Sequence, residues 1–289
     1  MIPSLDILYT FLSGLFFVGS LVKKGTKSFI TSKVDTILYP YVIWSILQGL
    51  IQYYLSSYTN FNKPLSDVYN LFWLPQEQFW FLYVLFLIFL IYTLLHYLVP
   101  NIVVLFTLSV LFYLFQNELL STWGPLVNFY KYGLYFCVGL LFSKCMNLKL
   151  GSSFWLGLTL LLFVFVQWYF HYYLDMKYST LGLLPSFFIA ITGIFTVISV
   201  SQFLSKIDFW LVKYIGSYSL EIYLVHIIFG SGFRIVLQNY FGIESSFVHL
   251  FFGTIIGLFM SILFVKLIRY TGLTFIFYMS KYNKKAVLT

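Results

Sequence analysis

Apolar residues run through this chain in long unbroken blocks separated by short polar gaps. The block WFLYVLFLIFLIYTLLHYL, residues 80–98, holds no formal charge and exceeds the roughly 18 residues that mark a membrane-crossing helix. Nine such blocks, at about 6–22, 37–57, 79–98, 102–116, 126–143, 153–174, 181–204, 215–232 and 247–269, predict an all-α polytopic transmembrane bundle. Short alternating strands, the mark of a membrane β-barrel, are not the pattern here. The gaps leave no room for a separate soluble domain, so residues 1–289 read as one integral-membrane domain. The longest gap, 58–78, carries Pro64, Pro75, Asp67 and Glu77 and is expected over the membrane surface as a loop or lid. No internal repeat and no paired Gly/Pro-broken spans stand out, which argues against an inverted-repeat transporter.

Composition changes the picture only at the edges. With 61% apolar and 9% charged residues, against about a quarter charged in soluble domains, the chain cannot cover a water-facing surface. Its net charge of +8 is explained by topology. Lys23, Lys24, Lys27, Lys33, Lys144, Lys149, Lys206, Lys213, Lys266, Arg269, Lys281, Lys284 and Lys285 fall on one side, and only Lys63, Lys131, Lys177 and Arg234 on the other, 13 against 4. By the positive-inside rule the C-terminus is cytoplasmic and the N-terminus outside, and the expected location is a cell (plasma) membrane. Aromatic belts agree: Trp168, Tyr169, Tyr172 and Tyr173 at an outer end, and Tyr270, Tyr278 and Tyr282 near the inner surface. Nucleic acid is not an expected partner. Cys137 and Cys145 stand eight apart on one predicted helix, about 12 Å along its axis, too far for a disulfide. Nothing basic precedes the first span, only MIPSLD. It lacks a signal-peptide n-region, and a further helix upstream, starting in the cytoplasm, would orient it.

The candidate chemistry sits in IGSYSLEIYLVHIIF, residues 215–229. It is apolar enough for a span, yet holds Glu221 and His226 with no basic residue inside it. At 100° per residue Ser219, Tyr223 and His226 share a face, and Glu221 is offset from them. His226 lies roughly 16 Å deep if the helix enters near Ile215. An ionisable group there faces protein or water and is a functional site by default. The plainer account is a neutral histidine hydrogen-bonded between helices, with Glu221 bonding neighbouring helices from the first turns. Gly253 and Gly257 form a GxxxG expected to pack within the bundle. His96, His171 and His249 sit near span ends or among aromatics and read as interfacial or packing residues.

IGSYSLEIYLVH (215–226) resembles the "G-x-x-S-L-x-I-Y-L-x-H" segment of the type 3 membrane-bound acyltransferases, the O-acetyltransferases of cell-surface sugars. Four other pieces resemble that family in the same order. They are FLSGLFF (11–17), FITSKVDTILYPYVIWS (29–45), FWFLYVLFL (79–87) and YFCVGLLFSK (135–144). The resemblance implies transfer of an acyl group, usually acetyl, from cytoplasmic acetyl-CoA to a hydroxyl of a surface polysaccharide or lipid-linked glycan. It implies no metal. His226 would act as general base or acyl relay, with Ser219, Tyr223 and Glu221 about it. Lys23, Lys24, Lys27 and Lys33 would pair with CoA phosphates, or serve orientation alone. On the acceptor side stand Trp80 and Phe81, as a sugar platform or an interfacial belt, with Ser13 and Arg234. Family members begin with an additional helix bearing a basic residue and a histidine regarded as catalytic. Met1 falls just upstream of the "SG" helix, so the resemblance implies the ten-helix family fold minus its first helix. The alternatives are a catalytically inactive truncated homologue, or a glycan-lipid transporter or flippase. A flippase would need more intramembrane charge than this chain has beyond Glu221, and a polysaccharide polymerase would need a larger external loop.

Overall fold

The computed structural model describes residues 4–54, 66–75, 77–99, 101–116, 118, 123–145, 150–177, 182–207 and 209–279. Expectations placed on Lys63, Pro64, Lys149, Lys281, Tyr282, Lys284 and Lys285 lie outside the described residues. The described residues form helices and turns, with no strand among them. In chain order the helices are α1 (Ser4–Leu15), α2 (Phe17–Lys24), α3 (Thr26–Lys33), α4 (Tyr39–Tyr54), α5 (Ser66–Tyr69), α6 (Trp80–Leu98) and α7 (Ile102–Leu114). They continue with α8 (Gly124–Phe142), α9 (Ser153–Gln167), α10 (Leu183–Ile207), α11 (Trp210–Gly216), α12 (Ser219–Phe241) and α13 (Ser246–Thr271).

A helix stands at each of the nine predicted positions, but length and apolarity credit fewer as spans. Among the described residues six helices qualify singly, Thr26–Tyr54, Glu77–Leu98, Ser153–Tyr173, Leu183–Ile207, Ser219–Phe241 and Ser246–Thr271. A seventh arises if α1 and α2, bent by 47°, count together. That bend at Phe16 adjoins the Ser13–Gly14 pair, a common locus of kinks. α7 has only 13 residues, and α8 carries Asn128 and Lys131 along its length. In Thr26–Tyr54, a π-helical turn at Val34–Leu38 joins α3 to α4. Pro40 follows it; its ring lacks the N–H and crowds the carbonyl four residues back, and a wider turn makes room.

The described chain clusters into two compact units, Met1–Ile30 with Leu87–Phe209, and Thr31–Phe86 with Trp210–Thr289. In the first, α1 lies backbone to backbone against α8. A side-chain carbon at Gly14 would overlap the Phe136 carbonyl, and one at Gly139 would overlap the Phe11 carbonyl. Two glycines of the family-like segments thus owe their identity to helix contact. Tyr92 staples three helices, its hydroxyl 2.7 Å from both the Ser109 hydroxyl and the Gly133 carbonyl. Thr196 donates to the Thr159 carbonyl at 3.0 Å and joins α10 to α9. In lipid such contacts, more than apolar burial, bind helices together.

In the second unit α12 and α13 meet along another glycine seam. A methyl group at Gly257 would lie 3.2 Å from the His226 carbonyl oxygen, and one at Gly230 would lie 3.4 Å from the Gly253 carbonyl oxygen. The expected GxxxG contact therefore forms within the unit. The gap expected over the membrane surface packs, in its described part, along α4. A methyl at Gly49 would be 2.7 Å from Val68, the Tyr41 hydroxyl donates to the Leu71 carbonyl, and the Gln48 and Gln78 amides pair at 3.1 Å. Residues 66–79 thus run along α4 from Gly49 to Tyr41, about 12 Å, and return to Gln48. Leu71, Gln78 and Phe79 are buried, and irregular backbone among apolar helices needs side-chain partners, which Tyr41 supplies to Leu71.

Gly139→Ala drives a methyl into a backbone carbonyl. It is expected to cost about 1–3 kcal/mol or more, read as earlier thermal unfolding in detergent. Gly157→Ala, where a methyl meets open space, is expected to leave that transition in place.

Candidate functional site

His226 lies in the second turn of α12, half-buried. Its Nδ1 is 2.9 Å from the Ile222 carbonyl oxygen and 3.0 Å from that of Tyr223. A carbonyl only accepts, so Nδ1 carries the proton of the neutral ring and Nε2 keeps its lone pair. The helix thereby fixes both tautomer and ring direction, the two things a general base needs. Tyr223, one turn back, has its ring centroid 6.3 Å from the imidazole. Its hydroxyl donates to the Gln78 carbonyl, and Gln78 pairs through its side chain with Gln48. A buried polar chain, Tyr223–Gln78–Gln48, therefore runs beside the histidine, joining α12, the turn Glu77–Phe79 and α4.

Glu221 is 2% exposed. Its Oε1 accepts from Arg269 Nη2 at 2.7 Å and from the Tyr278 hydroxyl at 2.7 Å. Arg269 also lies over the Tyr218 ring, 4.8 Å from its centroid, a cation–π contact. Burial, and then the Glu221 carboxylate beside it, push the Tyr278 hydroxyl well above the usual phenol range, so it stays protonated and donates. The acid without a basic neighbour in its own helix has one in the last turn of the next. Its carboxylate is engaged, and the bond it makes pins α12 to α13 and to the segment that follows α13. That segment turns at Gly272, φ 77°, then packs on α4 and the π turn before it. The Tyr39 hydroxyl donates to the Phe275 carbonyl at 2.7 Å, and Met279 N–H donates to Asp35 Oδ1 at 2.8 Å.

The other residues singled out from the sequence spread more widely. Ser219 is the exposed first residue of α12, two turns from His226 on the same face. Arg234 is exposed two turns beyond His226. Trp80 is half-buried and Phe81 is buried, the two rings meeting edge to face with centroids 6.0 Å apart. Lys33 is the half-buried last residue of α3 in the second unit. Lys23, Lys24 and Lys27 flank Gly25 and are exposed; with half-buried Ser13, they belong to the first unit. Among the described residues no three His, Cys, Asp or Glu side chains gather as a metal site. Sequence reasoning missed Gln48 and Gln78, though a glutamine amid apolar residues is itself a signal. It also missed Arg269 as a partner, because the positive-inside rule had already explained it.

Helices long and apolar enough to cross a membrane mark a helical integral-membrane protein. The family model of the type 3 acyltransferases, described as an acyltransferase domain, matches residues 7–266. The chain belongs to that family, as its five segments suggested. Neither a curated protein nor a solved structure matches it.

Removing one partner of a buried ion pair strands the other. Glu221→Ala is expected to destabilise the chain by about 3–5 kcal/mol. The double variant Glu221→Gln, Arg269→Met is expected to recover most of that loss in detergent unfolding curves.

Proposed function

We propose that this chain transfers an acyl group, acetyl in the simplest case, from cytoplasmic acyl-CoA to a hydroxyl of a surface polysaccharide or lipid-linked glycan. The observation that carries this reading is His226. It is the histidine of the family-like segment, inside the matched region, with Nδ1 tied to backbone carbonyls and Nε2 left as acceptor. In the reaction Nε2 takes the proton of the acceptor hydroxyl as its oxygen bonds to the thioester carbonyl carbon. The carbon–sulfur bond then breaks, and the imidazolium returns the proton to the departing thiolate, giving free CoA. Tyr223 positions the ring, Ser219 shares its face, and Glu221 holds α12 in register.

The basic residues support the sidedness. With the lysine-rich side in the cytoplasm of a plasma-membrane protein, Lys23, Lys24, Lys27 and Lys33 meet CoA phosphates. Trp80, Phe81, Ser13 and Arg234 remain the acceptor-side residues of this reading. The approach of two segments to one helix also supports transfer through the bilayer. Residues 66–79, which follow α4, descend to Tyr41, while the segment after α13 bonds Tyr39. The polar groups reaching α4 from its two ends are therefore about two turns apart or less.

Membranes containing the chain, supplied with radiolabelled acetyl-CoA, are expected to label surface glycan. His226→Ala, eluting in detergent like the wild type, is expected to lose about a hundredfold or more of that rate. Full retention in His226→Ala contradicts the site. No labelling by the wild type contradicts the enzyme reading and favours an inactive homologue.

A further inference from the structure

Past His226, the seam between α12 and α13 carries two donor groups that no protein group answers. The helices run antiparallel, with Gly257 against the His226 carbonyl and Gly253 against that of Gly230, a step of four residues on each. One further step sets His249 of α13 opposite Arg234 of α12. Arg234 is exposed, and among the described residues it makes no hydrogen bond or ion pair, not even with Glu244 in the turn between the helices. His249 is half-buried, its Nδ1 enclosed and without a hydrogen-bond partner among the described residues. An enclosed N–H left unanswered is rarer than an enclosed acceptor, so the ring proton belongs on Nε2, the nitrogen left to meet a ligand. At this level of the seam the protein offers donors and no acceptor. Arg234 also stands on the lysine-poor side of the topology read from the sequence, where a cation has no orienting use.

We propose that Arg234 and His249 bind an acidic group of the acceptor, a carboxylate or a phosphate, while a hydroxyl further along the same glycan reaches His226. This rests on the acyl-transfer reading given above and narrows its acceptor to an acidic glycan. The planar fork of the guanidinium matches two oxygens of either group, and Nε2–H of His249 supplies a further bond. A neutral sugar would leave that fork without a charged partner. From Arg234 to His226 is eight residues of α12, about 12 Å along the axis and about 80° around it. The acidic group and the reacting hydroxyl therefore stand apart on the glycan, and the pair sets which stretch of it is presented to the imidazole. Because the glycine seam fixes α13 against α12 on either side of His226 and Gly230, that spacing is built into the helix pair.

The test is equilibrium binding to the purified full chain in a neutral detergent, with trigalacturonate, 6-phosphomaltotriose and uncharged maltotriose as probes. The wild type is expected to bind at least one acidic probe about tenfold or more tighter than maltotriose. Arg234→Gln is expected to bring all three within about threefold of one another, and His249→Phe to weaken the preferred acidic probe about threefold. Arg234→Lys, which keeps the charge without the fork, is expected to recover part of the preference. A wild type with no preference for either acidic probe, or a preference that survives Arg234→Gln, overturns the inference and leaves acyl transfer untouched. Phosphatidylglycerol added to the detergent separates the other source of an anion. If it erases the preference, Arg234 holds a lipid headgroup and the inference falls. Absence of acetyl labelling by wild-type membranes overturns the acyl-transfer reading instead, and the acceptor role of this pair with it.

Discussion

A carboxylate cannot stay ionised among apolar helices without compensation, and at Glu221 that constraint organises the second unit. Arg269 and Tyr278 both reach the same oxygen. One buried atom therefore ties the start of α12 to the end of α13 and to the segment that follows it. The pair is not a large source of net stability, because desolvating two charges offsets much of their attraction. Its contribution is register. With α12 fixed at Glu221 and again at the glycine seam beside His226 and Gly230, the imidazole has little freedom to slide or turn.

Irregular backbone among apolar helices is tolerated only where protein groups satisfy it. The 66–79 segment meets that demand by taking the hydroxyls of Tyr41 and Tyr223 on the carbonyls of Leu71 and Gln78. Those bonds bring non-helical chain alongside a helix whose histidine holds its proton on Nδ1. α4 is the common wall, touched by this segment and, near its first turns, by Phe275 and Phe277 of the segment that follows α13.

Much of this was legible in the sequence where the signal is one-dimensional. Apolarity over about twenty residues locates helices such as α6, α10 and α13 without knowledge of their neighbours. Five ordered segments carried the family. Span counting was weaker, because α7 is short and the kink at Phe16 and the π turn before Pro40 leave no mark on apolarity. Pairing was weaker still. Glu221 looked alone because its partner stands 48 residues later, where a lysine or arginine is expected for orientation regardless of contact. The gap 58–78 read as a surface loop on the strength of Pro64, Pro75, Asp67 and Glu77, and the packing of its described part along α4 depends on Gly49 having no side chain. Gly14 and Gly139 were visible as letters of a motif, but their reason, two backbones in contact, exists only in three dimensions.

The central claim is that a donor on one side of the membrane and an acceptor on the other meet at α12. Sealed proteoliposomes of the purified chain, with labelled acetyl-CoA only on the lysine-rich side and oligosaccharide acceptor only on the opposite side, test it directly. Label on the acceptor, dependent on the chain and undiminished when the acceptor compartment also holds unlabelled donor in excess, is the predicted result. Transfer only when both substrates share one compartment would contradict the account.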